Sequence, residues 1–168
     1  MSEKSGGKSS NRKDTGEQLI ATNPNGRSNF FIEEVVEAGI MLTGTEVKSL
    51  RAQAPNLRDA YVEVKSSQGR VEAWLMNVHI SPYAYGNIWN HEPLQRRKLL
   101  LHKHQIEKMY GSVTQKGISI IPLRMYFLKG RAKLELGLGK GKKHYDKRQD
   151  LKEKSAQREM DIARKHSR

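Results

Sequence analysis

The sequence predicts a mainly β protein, a closed antiparallel barrel of about six strands with two or three short helices and a basic C-terminal tail. Three observations predict it. Between Phe30 and Leu138 apolar residues recur at every second position in several short runs, the pattern of half-buried strands. Turn signals at Ser66-Ser67-Gln68-Gly69 and Lys129-Gly130 link consecutive runs into hairpins. From Lys140 onward the alternation stops and charge takes over.

Composition narrows the class of partner. A chain of 168 residues holds one domain plus extensions and can bury a core. Lys and Arg number 31 against 18 Asp and Glu, a net charge of +13 that makes a polyanion the expected partner. There is no cysteine, which excludes disulfides, thiolate metal sites and a cysteine nucleophile and fits a reducing cytoplasm. Mean hydropathy is −0.78 and no apolar run approaches membrane-spanning length, so no membrane partner is expected. Met1 to Gly16 is polar and lacks the apolar core of a signal peptide.

In chain order, residues 1–29 are rich in Ser, Gly, Asn, Lys and Arg, with Leu19-Ile20-Ala21 as the one apolar cluster. They are expected to form a flexible N-terminal arm with at most a short ordered piece. Residues 30–139 are the expected folded domain. Phe30, Ile32, Val36 and Ala38 alternate as a strand, which Gly39 bends or bulges before a second short strand, Ile40-Met41-Leu42. Thr43 and Glu46 have the spacing of a capping box, so a short helix through Val47, Leu50 and Arg51 follows and ends before Pro55. Ala60, Val62 and Val64 alternate into the first hairpin turn. In the next strand Val71, Ala73 and Leu75 keep one phase, and Met76, Val78 and Ile80 the other. A β-bulge near Trp74 to Met76 would turn both sets toward one core and let the strand curl.

Ser81 to Pro93 shows no period and holds Tyr83, Tyr85, Gly86 and Trp89, which reads as a loop carrying exposed or half-exposed aromatics. Arg96-Arg97-Lys98 leads into a helix with Leu99, Ile106, Met109 and Tyr110 on one face, closed by Gly111. Ile121, Leu123, Met125 and Phe127 then alternate. After the turn Ala132, Leu134, Leu136 and Leu138 alternate back, with Lys133 and Glu135 pointing out. This is the element list of a small OB-type barrel, with an open α/β-sandwich as the alternative.

Residues 140–168 form the basic tail. Asp150 with Lys154 and Asp161 with Lys165 are acid-before-base pairs four apart, each contributing about 0.2 to 0.5 kcal/mol on a helix. Leu151 and Ile162 share a face but Met160 lies opposite Leu151, so no apolar stripe exists to pack on the body. The tail is therefore expected to be disordered alone and helical inside a charged groove.

The stretch from Gly137 to Arg148 joins body and tail. Gly137, Gly139 and Gly141 at alternate positions predict a hinge and a close approach to another surface. Lys140, Lys142, Lys143, Lys147 and Arg148 around Tyr145 supply cations and a ring, the combination that neutralises phosphates and stacks on a base, so RNA is the expected ligand. A nucleotide loop is excluded: Gly137 to Gly141 leaves three intervening residues instead of four, and Lys143 stands where Ser or Thr would hold magnesium. His102 and His104, two apart on a helix, point in different directions and cannot chelate one metal; His102 is expected at the edge of the core. His79, Ser81 and Asp59 lack a nucleophile elbow, so binding is favoured over catalysis.

The run Phe31-Ile32-Glu33-Glu34, then Glu37-Ala38-Gly39-Ile40, then Gly44-Thr45-Glu46-Val47-Lys48-Ser49-Leu50-Arg51 closely resembles the SsrA-binding protein (SmpB) family. Arg97-Lys98-Leu99-Leu100-Leu101 and Gly139-Lys140-Gly141-Lys142-Lys143 ahead of Asp146-Lys147-Arg148 extend the match, in order and at family spacing, from about Phe30 to the end. The resemblance implies an OB-type barrel that binds the tRNA-like domain of transfer-messenger RNA (tmRNA). It implies delivery of that RNA to bacterial ribosomes stalled without a stop codon, for trans-translation: ribosome rescue and tagging of incomplete proteins. The protein would take the place of an anticodon arm at the decoding centre, and the tail would enter the empty mRNA channel as a helix. Elongation factor Tu and alanyl-tRNA synthetase are implied as further partners through the charged tmRNA.

By resemblance, RNA contacts carry over to Glu37, Leu100, Lys133, Lys140, Lys142 and Lys143, with Asn23 and Arg27 standing in for a basic segment ahead of the first strand. Tyr145, where some relatives carry histidine, and Asp146, Lys147, Arg148, Leu151, Met160 and Ile162 carry over to action on the ribosome. No catalytic residue, cofactor or metal is implied, and the location is cytoplasmic. Two other readings stand beside this one: a general RNA-binding OB-fold protein without a dedicated partner, and an RNA-processing enzyme using His79 and Asp59.

Overall fold

A computed structural model describes residues 16–166; the part of the expected arm before Gly16 lies outside the described residues. Seven strands and four α-helices follow in the order β1 (Glu17–Thr22), α1 (Pro24–Asn29), β2 (Phe30–Ile40), α2 (Gly44–Ala52), β3 (Tyr61–Ser67), β4 (Arg70–Met76), β5 (Arg97–Leu100), α3 (Lys103–Lys116), β6 (Ser119–Leu128), β7 (Arg131–Gly141) and α4 (His144–His166). The strands form one antiparallel sheet in the order β1-β6-β7-β2-β5-β4-β3. No helix among the described residues is long and apolar enough to cross a membrane.

The mainly antiparallel β character holds, but the sheet does not close into the expected barrel. β1, within the expected arm, pairs with β6 from Glu17↔Leu128 to Thr22↔Arg124 and so occupies an edge of β6. β3 lies alongside β6 without a ladder. Between them runs a groove of about 460 Å³ lined by Tyr61, Val62, Ser119 and Ile120, with Asn25 and Arg58 at its rim. Among the described residues, regular structure is therefore already present at Glu17, ahead of the expected Phe30. Asn23 fixes the corner, donating from Nδ2 to the Pro122 carbonyl at 2.9 Å and accepting the Asn25 amide at 3.0 Å, which caps α1.

Both hairpin turns are where the turn residues put them. Gln68 and Gly69 (φ 49° and 74°) and Lys129 and Gly130 (φ 49° and 74°) are left-handed pairs, the backbone that matches the strand twist in two-residue hairpins. The capping box also forms: the Thr43 amide donates to Glu46 Oε2 at 2.7 Å, and α2 ends at Ala52.

Several local expectations are corrected. β2 runs unbroken through Gly39 to Ile40; its register shift lies between Ile32 and Glu34, and Met41 and Leu42 form no second strand. β4 pairs with β3 in uninterrupted register up to Tyr61↔Met76, so no bulge exists near Trp74. The phase change is made instead by Asn77, left-handed at φ 56°, after which Val78 and Ile80 turn into the core. Arg97 to Leu100 is strand β5, held between β2 and β4, where a helix start was expected. α3 runs through Gly111 and closes at Gly117, because at Gly111 nothing blocks the helix and at Gly117 the backbone is left-handed.

The inward face gathers Ala38, Ile40, Leu75, Leu99, Met125, Leu134, Leu136 and Leu138, with Leu50 and Met109 from α2 and α3. Beside this core sits a buried ion pair: Arg97 Nε donates to Glu46 Oε1 at 2.6 Å, both side chains 1% exposed. Arg97 also donates to the Val78 and Pro93 carbonyls at 2.8 and 3.1 Å, and Gln95 to Glu46 at 2.8 Å. The set ties α2 to the end of the 81–95 loop.

Candidate nucleic-acid interface

The β6–β7 hairpin register places Arg124 opposite Glu135 and Tyr126 opposite Lys133, and β2 adds Glu37 opposite Glu135. These partners build one polar strip. The Glu37 carboxylate accepts from the Tyr126 hydroxyl and from Lys133 Nζ. Arg124 Nε donates to Glu135 Oε2 at 2.6 Å, its other arm pairs with Glu17, and Arg27 reaches Glu135 at 3.5 Å. The Arg124 guanidinium also lies 4.8 Å from the Tyr126 ring centre.

The electrostatics follow from these contacts. The Lys133 ammonium, then the Tyr126 hydroxyl, hold the Glu37 carboxyl below its usual range. Burial, reinforced by the neighbouring Glu37, raises the Tyr126 phenol, so it remains a donor. The bond to Glu135 raises Arg124 further.

At the end of the strip an open groove of about 650 Å³ is lined by residues 34–37, Gly39, Leu100 to His102, Gln105 and Lys133. It brings together Glu37, Leu100 and Lys133, from three different strands. Leu100 is 52% exposed there. A carboxylate that accepts from base-edge amines, an ammonium for phosphate and an apolar side chain for a ring edge are suited to a nucleotide.

The lysine run forms a second cluster where β7 meets α4, and the expected hinge is a strand. β7 continues to Gly141, opposite Phe30, and a Cβ at Gly139 would lie 2.0 Å from the Phe31 carbonyl oxygen. Glycine is needed there for close pairing of β2 and β7. Lys140 and Lys143 are exposed. Lys142 is drawn in: its side chain is 9% exposed, its Nζ pairs with Asp150 and lies 4.8 Å from the Phe31 ring centre, and its amide donates to the Asn29 carbonyl at 2.8 Å. Asp146 accepts the Lys143 amide at 3.2 Å and caps the start of α4. Tyr145, Leu151, Met160 and Ile162 are exposed, at 51 to 71%; Arg148 is exposed and Lys147 half-buried.

Two expected positions stand apart. Asn23 is buried with its amide spent on Pro122 and Asn25, so its place is structural. His102 is exposed at the start of α3, stacked on His104 with ring centres 5.8 Å apart, not packed at the core edge. Asp59 and His79 are both exposed. Among the described residues no group of His, Asp and Glu is arranged to hold a metal.

Arg124, Tyr126, Glu135 and Glu17 were missed as members of the strip. The signal for the first three was present: once Lys129-Gly130 fixes the turn, pairing back from Leu128↔Arg131 puts Tyr126 beside Lys133. Glu17 had no such signal.

The model of the family described as SmpB protein matches residues 20–166. The SsrA-binding protein of Pelobacter propionicus is 53% identical over 150 residues, covering 89% of this chain and 96% of its own. That of Geobacter sulfurreducens is 53% identical over 145 residues, covering 86% and 92%. That of Lysinibacillus sphaericus is 49% identical over 144 residues, covering 86% and 90%. A solved structure called "tmRNA-SmpB: a journey to the center of the bacterial ribosome" contains a chain 42% identical, with a TM-score of 0.60 over 75% of this chain and 86% of that one.

Proposed function

The chain belongs to the SmpB family, and from that premise we propose that it binds the tRNA-like domain of tmRNA and delivers it to stalled bacterial ribosomes for trans-translation. It is an RNA-binding adaptor and not an enzyme. The observation that carries the reading is the convergence of Glu37, Leu100 and Lys133 on one open groove at the end of a charged strip. In this reading the curled sheet serves as an OB-type platform, with Arg27 and the exposed Lys140 and Lys143 extending the phosphate contacts and Lys142 tying the start of the tail to the body. The tail, disordered alone, orders as a helix in the empty mRNA channel, with Tyr145 stacking at the decoding centre. Elongation factor Tu and alanyl-tRNA synthetase act through the charged tmRNA, in the cytoplasm.

The test is a titration against the tRNA-like domain and an unrelated RNA of equal length at several salt concentrations. Phosphate contacts weaken with salt for both, so the ratio between them reports recognition. A ratio that persists as salt rises supports the reading; curves that fall together make the chain a general RNA binder. Lys133→Glu removes a groove cation and leaves Glu37 beside a second carboxylate, so affinity for the tRNA-like domain should fall about tenfold or more, with the salt slope reduced by about one.

A further inference from the structure

Tyr126 serves the groove at Glu37 without lining it. It is 3% exposed and stands outside the core cluster, yet its hydroxyl donates to the Glu37 carboxylate, which does line the groove. Glu37 is its one hydrogen-bond partner among the described residues. Packing does not ask for that hydroxyl. The ring is covered by the Arg124 guanidinium, 4.8 Å from its centre, and Arg124 is held in turn by Glu135 at 2.6 Å and by Glu17. A phenylalanine ring would fill the same space, so the phenol oxygen is present for the carboxylate alone.

The register of the sheet explains what the carboxylate needs. Glu37 of β2 stands directly opposite Glu135 of β7, and like charges so placed repel. The neighbouring cations divide the pair: Arg124 and Arg27 go to Glu135, and Lys133 goes to Glu37. Lys133 holds Oε1. A carboxylate held through one oxygen by a flexible lysine can swing. The Tyr126 hydroxyl takes Oε2 from a third strand, β6, and stops that motion. Each oxygen keeps acceptor capacity for a ligand, because an ionised carboxylate offers about four lone-pair sites and the protein occupies one on each oxygen.

The same two bonds act on charge. The Lys133 ammonium and then the Tyr126 hydroxyl lower the Glu37 carboxyl, while burial keeps the phenol a donor. The charged or titratable groups facing Glu37 are Lys133 and Glu135 of β7 and Tyr126 and Arg124 of β6; Glu34 of its own strand and His102 at the start of α3 share the groove. We propose that Tyr126 is a positioning residue for RNA recognition: with Lys133 it fixes the plane of the Glu37 carboxylate, so that both oxygens are presented, already ordered, to the N–H donors of a base in the groove. The inference rests on the proposed function in one respect, that Glu37 meets RNA.

The test is a double-mutant cycle in the full chain, with Tyr126→Phe, Glu37→Gln and the two combined, titrated against the tRNA-like domain of tmRNA. Thermal melts first establish that each variant is folded at the assay temperature. Tyr126→Phe should weaken binding about fivefold in the parent and less than about twofold in the Glu37→Gln background, because it acts through that carboxylate. The salt slope should not change, since no phosphate contact is lost. A pH series from about 7.5 to about 4.5 adds a second readout. Tyr126→Phe removes one of the bonds that keep Glu37 ionised, so its affinity should begin to fall at a higher pH than the parent's, and Glu37→Gln should lose that step. His102 is common to all four proteins and cancels in the comparison at each pH. Unchanged affinity of Tyr126→Phe overturns the proposal, and so does an equal loss in both backgrounds, which would make the phenol a group of the fold alone. If Glu37→Gln binds as the parent does, the assignment of Glu37 to RNA fails as well. If Glu37→Gln weakens binding and Tyr126→Phe does not, this inference alone fails.

Discussion

Glu46 holds two structures from one position: its Oε2 caps α2 through the Thr43 amide and its Oε1 anchors Gln95 and Arg97. Only the first role follows from local spacing. Arg97→Met would leave a carboxylate buried without its cation, and the expected loss is about 3 to 5 kcal/mol in urea unfolding. The pair also has a pH signature. Burial alone would raise the Glu46 carboxyl, but the Thr43 amide, Gln95 and Arg97 outweigh it and hold it below the ordinary 4.5. A depressed folded-state value gives stabilisation that is fully present above the ordinary carboxylate range and lost as pH falls through the folded value. Urea midpoints measured between about pH 7 and pH 3 should therefore fall on the acid side, and Glu46→Gln should flatten part of that fall.

At the scale of elements, α4 is the one that its own protein does not bury. Residues 151–165 are exposed throughout, and the anchor is confined to its first turns, where Asp146 caps it and Asp150 pairs with Lys142. A helix without an apolar face on the body is held by helix–coil propensity and not by packing, so it gains no stability from the core. Because Asp150 holds Lys142, the informative truncation ends after Leu151 and not at Arg148. That chain should keep affinity for the tRNA-like domain within about twofold, about 0.4 kcal/mol, while losing rescue of stalled ribosomes in a reconstituted translation assay. Loss of both together would contradict a division between body and tail.

At the scale of the whole molecule, the sheet has two ends where a barrel has none. Among the described residues β3 pairs only with β4, and β1 occupies the edge of β6 on the other side of the seam. Amides of β3 that face the seam should exchange with deuterium faster than those of β7, which is paired on both sides, and hydrogen-exchange mass spectrometry would show the difference. Equal protection would mean that the seam closes in solution. The net charge of +13 acts at this scale too, drawing any polyanion to the surface; in the proposed reading the groove then discriminates among them.

The amino-acid sequence by itself determined what depends on neighbours along the chain. Left-handed turn residues fixed both hairpins, Thr43 and Glu46 fixed the start of α2, and alternation fixed which residues of β7 face the core; in β6 a register shift between Pro122 and Arg124 breaks the alternation, so Ile118 and Ile120 join Met125 and Phe127 in the core cluster where Ile121 and Leu123 were expected. Resemblance to the family pointed to Glu37, Leu100 and Lys133 as candidate RNA contacts, and composition pointed to a polyanion partner. Tertiary structure alone decided what depends on a distant partner. β1 exists because β6 offers an edge, since Glu17 to Thr22 carries too little apolar surface to declare a strand. Arg97 is buried in a strand and not exposed on a helix because Glu46 and the Val78 carbonyl wait for it. The phase change after β4 rests on the left-handed backbone of Asn77, a choice that period-two alternation cannot distinguish from a bulge. Long-range pairing sets these outcomes, and residues within a local window do not encode which distant edge, carboxylate or carbonyl will be there to meet them.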